Sequence, residues 1–186
     1  MIKDPPLLKI RRFRRVIQND SLESIHHIPL GFLVDAMDGR GAMEHRIRLL
    51  EGFPKESRLL GTALTCHCGP GDNLGLFGAV AEAHPGDVIV AATDSFEGTC
   101  LTGDLLMGMA RNCKVAGLVT DGLVRDADGI RHVGLPVFAV ESLLIRRFET
   151  VRAPSDFLLL LGVSRSNPET SLRRILKVWS LFPKKN

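Results

Sequence analysis

The chain has no tyrosine, a single tryptophan and only four cysteines in 186 residues. Cys66, Cys68, Cys100 and Cys113 are too sparse for the disulfide framework of a small secreted domain, so reduced thiols are expected. Long apolar runs are also missing. The stretch Phe157 to Leu161 falls far short of the roughly 20 residues a membrane-spanning helix needs. Met1 to Val16 interleaves Lys9, Arg11, Arg12, Arg14 and Arg15 with apolar residues, which leaves no continuous core for a secretory signal. The expectation is a cytoplasmic protein with no membrane partner. Phosphate-binding glycine patterns are absent as well: Gly69-Pro-Gly-Asp-Asn-Leu matches neither the P-loop nor G-x-G-x-x-G, so nucleotide binding finds no support. Cys66-His67-Cys68 puts both sulfurs on one face of a strand, but no second Cys/His pair follows at zinc-ligand spacing, and they read as buried thiols. His26, His27 and His45 lack partners at ligand spacing, no Ser-His-Asp set is legible, and Cys100 has no identifiable activating base. The basic run Lys9 to Arg15 reads as a solvated N-terminal helix with no nucleic-acid partner.

What is present is an ordinary globular balance, 45% hydrophobic and 24% charged, in a length suited to one compact domain. The net charge of +3 hides an asymmetry. Residues 1–140 carry 15 Lys and Arg against 17 Asp and Glu, whereas residues 141–186 carry 9 against 4. Glycine divides the same way, with 17 of 18 before residue 141. Hydrophobic spacing predicts a helix over 31–38, a strand over 58–68, a helix from Leu74 that stops before His84-Pro85-Gly86, and a strand over 87–92. A helix over 100–112, a strand over 115–120, a polar loop over 121–128 and a strand over 135–140 follow. Strands alternating with helices indicate an α/β layered domain.

Two places could carry chemistry. In Gly117-Leu-Val-Thr-Asp-Gly-Leu-Val-Arg-Asp126 an apolar strand runs into a turn bearing Asp121, Arg125 and Asp126, at the kind of strand end where α/β proteins bind ligands. Arg125 offers a planar fork for a carboxylate, and Asp126 is a hard oxygen donor suited to Mg²⁺ or Mn²⁺. The same residues also describe a solvated ion pair with Asp121 as a turn residue. At Gly103-Asp104-Leu105-Leu106, a glycine near a helix start would let backbone N–H groups approach an anion, and equally would let helices pack closely.

Taken together, Asp35-Ala-Met, Gly61-Thr-Ala-Leu-Thr-Cys, Gly71-Asp-Asn, Pro85-Gly-Asp-Val-Ile-Val, Gly103-Asp-Leu-Leu, Gly117 to Asp126 and Gly134-Leu-Pro-Val-Phe-Ala resemble the RraA-like family in order and spacing. That family contains 4-hydroxy-4-methyl-2-oxoglutarate aldolases and regulators of ribonuclease E activity, and was formerly labelled demethylmenaquinone methyltransferase. The resemblance covers about residues 30–140. It implies a swivelling-domain-like layered α/β sandwich assembled as a homotrimer or homohexamer, with the active site between subunits. It further implies that the backbone of Gly103, Asp104, Leu105 and Leu106 cradles a pyruvate moiety, that Arg125 grips its carboxylate and oxo group, and that Asp126 holds Mg²⁺ or Mn²⁺. The 22-residue separation of Gly103 from Arg125 is the family's own. The implied activity is a metal-dependent lyase cleaving pyruvate-derived 2-oxo acids, including 4-carboxy-4-hydroxy-2-oxoadipate, with oxaloacetate decarboxylation and no lysine Schiff base. Ribonuclease-inhibiting members lack the aspartate after the arginine, so Arg125-Asp126 favours the enzyme branch. Binding to ribonuclease E without catalysis is the alternative, and an inactive truncated relative a third. Many aldolase members read Trp-Gly-Glu where this chain reads Thr102-Gly103-Asp104. The methyltransferase label has no counterpart in the residues.

After Ala139 the resemblance ends in a patterned way. If each family codon is built from the third base of one codon here and the first two of the next, Ala139 through Phe148 become Arg-Gly-Val-Thr-Pro-Asn-Ser-Pro-Val. Asn167 through Thr170 become Pro-Gly-Asp, and Lys177 through Pro183 become Gly-Val-Val-Val-Val-Pro, all family landmarks in order. The expected organisation is an N-terminal segment (1–30), an RraA-like domain (31–140) and an out-of-frame basic tail (141–186) that leaves the C-terminal part of the fold incomplete. A divergent tail, with an apolar helical period over Ser171 to Leu181, is the other reading.

Overall fold

The computed structural model describes residues 8–10, 19–55 and 57–142. The tail beyond 142, including the helical period over 171–181, and most of the basic run Lys9 to Arg15 lie outside the described residues. The architecture is mixed α/β, built outward from β3 (Asp87–Ala92), whose six residues are all buried. Alternation along β3 serves two cores. Val88, Val90 and Ala92 pack with Ile47, Leu59, Val119 and Phe138 on one side of the sheet. Ile89 and Ala91 pack with Leu76, Leu106, Met107 and Ile130 on the other. A strand apolar on both faces is what a parallel sheet covered on both sides requires.

Five strands form the main sheet in the order β1 (Arg48–Leu49), β7 (Val137–Ala139), β5 (Gly117–Thr120), β3, β2 (Thr62–His67). All pairings are parallel except β1 with β7. Two short helices, α1 (Asn19–His26) and α2 (Leu30–Ala36), precede the sheet, and α3 (Leu74–Ala81) joins β2 to β3. Each later crossover contains an extra strand before its helix. β4 (Cys100–Thr102) leads into α4 (Asp104–Asn112), and β6 (Leu123–Val124) leads into α5 (Ala127–Val133). With β8 (Glu141–Ser142) these form a second, parallel sheet in the order β4-β6-β8. The consequence for the site is direct: β4 and β6 lie side by side, so the starts of α4 and α5 emerge together.

Two expectations need correction. Residues 100–112 are not one helix, because Cys100 pairs with Leu123, Thr102 pairs with Val124, and the chain stays extended through Gly103 before α4 begins. The span 121–128 is not all loop, since Leu123 and Val124 are a buried strand and Ala127 already belongs to α5. Strands of two or three residues carry no periodicity of their own and are set by their partners. The expected strand over 87–92 and the helix starting at Leu74 stand as read. Among the described residues no helix is long and apolar enough to cross a membrane.

Candidate functional site

Gly103, Arg125 and Asp126 meet where β4 and β6 end. The Arg125 N–H donates to the Thr102 carbonyl at 2.9 Å, carrying the β4–β6 ladder up to the site. A Cβ placed on Gly103 would stand 2.7 Å from Asp126 Oδ2, 3.1 Å from Arg125 Cγ and 3.2 Å from Arg125 Nε, so any larger residue here would displace the Asp126 carboxylate and crowd Arg125. Asp126 occupies the N-cap position of α5 in the left-handed region, at φ 58° and ψ 44°, a conformation aspartate tolerates better than most residues. Its carboxylate makes no capping bond to α5. It lies instead 3.3 Å from Arg125 Nε, with both side chains more than half exposed.

The start of α4 forms the other wall. Met107 N–H makes a 3.2 Å bond to the Gly103 carbonyl, which leaves the N–H groups of Asp104, Leu105 and Leu106 ahead of the intrahelical ladder, at the positive end of the helix. Asp104 packs over α5, its Oδ2 lying 2.5 Å from where a Cβ on Gly129 would stand. Leu106 is buried in the core, whereas Leu105 is 84% exposed. The six residues to which the sequence assigned a role at the site, Gly103, Asp104, Leu105, Leu106, Arg125 and Asp126, thus lie at two adjoining strand-to-helix junctions.

Asp121 is not at this surface. It is 2% exposed and accepts hydrogen bonds from the Thr93 N–H (2.6 Å), the Thr93 hydroxyl (3.0 Å) and the Ser95 N–H (2.9 Å). It therefore ties the β5–β6 turn to the loop after β3. Asp94 and Ser95 are both left-handed there, and Asp94 Oδ2 lies 3.1 Å from His67 Nε2 at the end of β2. Sequence reading missed this His67–Asp94 pair; the only trace was a polar Thr-Asp-Ser segment directly after an apolar strand. Cys66 and Cys68 are free thiols, as are Cys100 and Cys113. The S–H of Cys66 bonds to Cys68, and that bond together with burial raises Cys66 well above the ordinary thiol range. Cys68 is lowered, first by the same bond and then by the Leu76 N–H, against its burial.

Among the described residues no group of three or more His, Cys, Asp or Glu gathers around a common point. Mg²⁺ and its relatives keep several waters and are held by one or two carboxylates plus substrate oxygens, so the exposed carboxylate of Asp126 suits such an ion. The donor set fits a hard, mostly hydrated cation rather than a cage of protein ligands.

A family model for RraA-like proteins, described as Aldolase/RraA, matches residues 32–156. The chain belongs to the RraA-like family. A relative from Halalkalibacterium halodurans, named "Putative 4-hydroxy-4-methyl-2-oxoglutarate aldolase", is 33% identical to this RraA-like chain over 119 residues. The match takes in 64% of this chain and 55% of the relative, so the chain spans little more than half of that protein's length. The solved RNA-processing inhibitor RraA from Thermus thermophilis shares the fold, with a TM-score of 0.55 and 23% identity across 62% of this chain and 68% of its own. Streptomyces coelicolor RraAS2, described as an unusual member of the RNase ES inhibitor RraA family, reaches 0.61 with 21% identity across 69% and 65%. In this RraA-like fold, Gly103, Arg125 and Asp126 come from different strand ends and meet only through the second sheet.

Proposed function

We propose that this RraA-like protein is a divalent-metal-dependent lyase that cleaves pyruvate-derived 2-oxo acids. The observation that carries this reading is the approach of Arg125 and Asp126 onto Gly103, at the open start of α4. That arrangement brings one guanidinium fork and one carboxylate to the residue that opens α4, and these with the backbone N–H groups after Gly103 are the groups that would bind a small oxo-acid. Arg125 binds the substrate carboxylate and orients the 2-oxo group. The N–H groups of Asp104 to Leu106 face the negative charge that develops on the pyruvate moiety as the C–C bond breaks. Asp126 would hold Mg²⁺ or Mn²⁺ through its exposed carboxylate. When bound, that cation supplies Lewis-acid polarisation of the 2-oxo group, which removes the need for a lysine Schiff base.

A homotrimer or homohexamer with the site at the subunit boundary belongs to the same proposal. Leu105 and Met109, 84% and 49% exposed on α4 beside the site, are apolar side chains a neighbouring subunit would cover. The test is pyruvate release from oxaloacetate and from 4-hydroxy-4-methyl-2-oxoglutarate with Mg²⁺ or Mn²⁺, using both this chain and a frame-restored version. Turnover that EDTA abolishes, and that falls by about 100-fold or more in Asp126→Ala and Arg125→Lys, supports the lyase. A folded, frame-restored protein that turns over neither substrate but binds ribonuclease E overturns it in favour of a non-catalytic regulator.

A further inference from the structure

The starts of α4 and α5 touch at two successive residues. Gly103 abuts Arg125 and Asp126, and the next residue, Asp104, abuts Gly129 in the first turn of α5. A Cβ built on Gly129 would lie 2.5 Å from Asp104 Oδ2, 2.9 Å from its Cγ and 2.6 Å from its Cβ. Turning the carboxylate aside relieves the first two contacts only, because the backbone of α4 fixes where Asp104 Cβ stands. A side chain at 129 therefore displaces the start of α4 itself. Four residues further along both helices the packing is ordinary, a Cβ on Gly108 standing 3.9 Å from Val133 Cγ2. Of these two contacts the tight one lies at the site.

Gly129 is not there for its backbone. It is absent from the glycines with positive φ, and inside a helix alanine is favoured over glycine. What the glycine provides is room, and all three atoms nearest to that room belong to the half-buried Asp104. We propose that Gly129 is a positioning residue: by admitting Asp104 it sets the separation of the two helix starts, and so the placing of the Asp104 to Leu106 N–H groups against Arg125 and Asp126. Its consequence for turnover rests on the lyase reading, whereas the coupling of Asp104 to Gly129 does not.

The experiment introduces Gly129→Ala into the full chain and into its Asp104→Gly variant, where the three obstructing atoms are gone, and unfolds each protein in urea without added metal. Helix propensity alone makes alanine stabilising in both. A change of sign is expected instead: the urea midpoint falls on Gly129→Ala in the parent and rises on Gly129→Ala in the Asp104→Gly protein. Pyruvate release from oxaloacetate with Mg²⁺, measured on folded protein from this chain and its frame-restored version, should fall about 10- to 100-fold in Gly129→Ala and stay unchanged in Gly108→Ala. Adding Gly129→Ala to Asp104→Gly should cost no further activity. A midpoint that moves the same way in both backgrounds overturns the inference, as does undiminished turnover in a folded Gly129→Ala protein. Absence of turnover in both parent versions sinks the lyase reading instead, and the urea comparison still decides whether Asp104 and Gly129 lock the helix starts.

Discussion

At the scale of single residues, the candidate site turns on what glycine omits. A methyl group on Gly103 would collide with the carboxylate of Asp126 and the stem of Arg125, both of which project from the next strand end. The Gly103→Ala protein should fold normally by circular dichroism yet release pyruvate about 100-fold more slowly, because a misplacement of about 1 Å in a positioned group costs that much. Unchanged turnover in that variant would separate the glycine from the chemistry. The thiols give a second expectation. Cys68 is lowered and Cys66 raised, so the folded chain loses its first thiol proton before the unfolded chain does and keeps its second for longer. Stability from this pair therefore rises with pH up to the ordinary thiol value and declines above it, where the folded state binds the extra proton. Denaturant midpoints measured across that range should show the maximum, and Cys66→Ser should flatten it. Arg125 and Asp126 were legible as chemistry-bearing residues because a guanidinium and a carboxylate follow an apolar strand. The role of Asp121 was not, because its partners lie 26 to 28 residues away.

At the scale of elements, the site depends on two strand-to-helix transitions held in register. β4 and β6 pair in parallel, and each feeds a helix whose first turn opens on the same side. Neither strand was visible in the sequence. Cys100-Leu-Thr and Leu123-Val are too short to show alternation, and at 100–112 the helical spacing of α4 was extended backward over β4. The loop after β3 is fastened to this layer by Asp121, whose carboxylate accepts three hydrogen bonds from Thr93 and Ser95, flanking the consecutive left-handed residues Asp94 and Ser95. Removing it in Asp121→Ala leaves buried donors without an acceptor and should cost about 2–3 kcal/mol in urea unfolding. Asp121→Asn retains an acceptor oxygen and should cost less. Equal stability of both variants with the parent would show that the loop is held by other contacts.

At the scale of the whole molecule, the main sheet divides two cores, and the second sheet carries the site to one edge of them. Residues 143–186 lie outside the described residues, and their codon pattern predicts a shifted reading frame. Re-reading the gene across codons 138–142, with an intact mass of the protein from its native locus, should reveal a single-base correction that restores the family ending. A confirmed base sequence and a mass equal to that of the present chain would make the tail a divergent one. By itself the sequence determined the α/β class, the buried strand over 87–92, the thiol state and the residue types of the site, since periodicity, composition and local motifs are properties of neighbouring residues. Tertiary structure alone decided that β4 and β6 exist, that Asp126 turns away from capping α5 toward Gly103, and that Asp121 is an anchor rather than a surface turn. Each of these is settled by partners distant in the chain, and distance along the chain is what a local pattern cannot span.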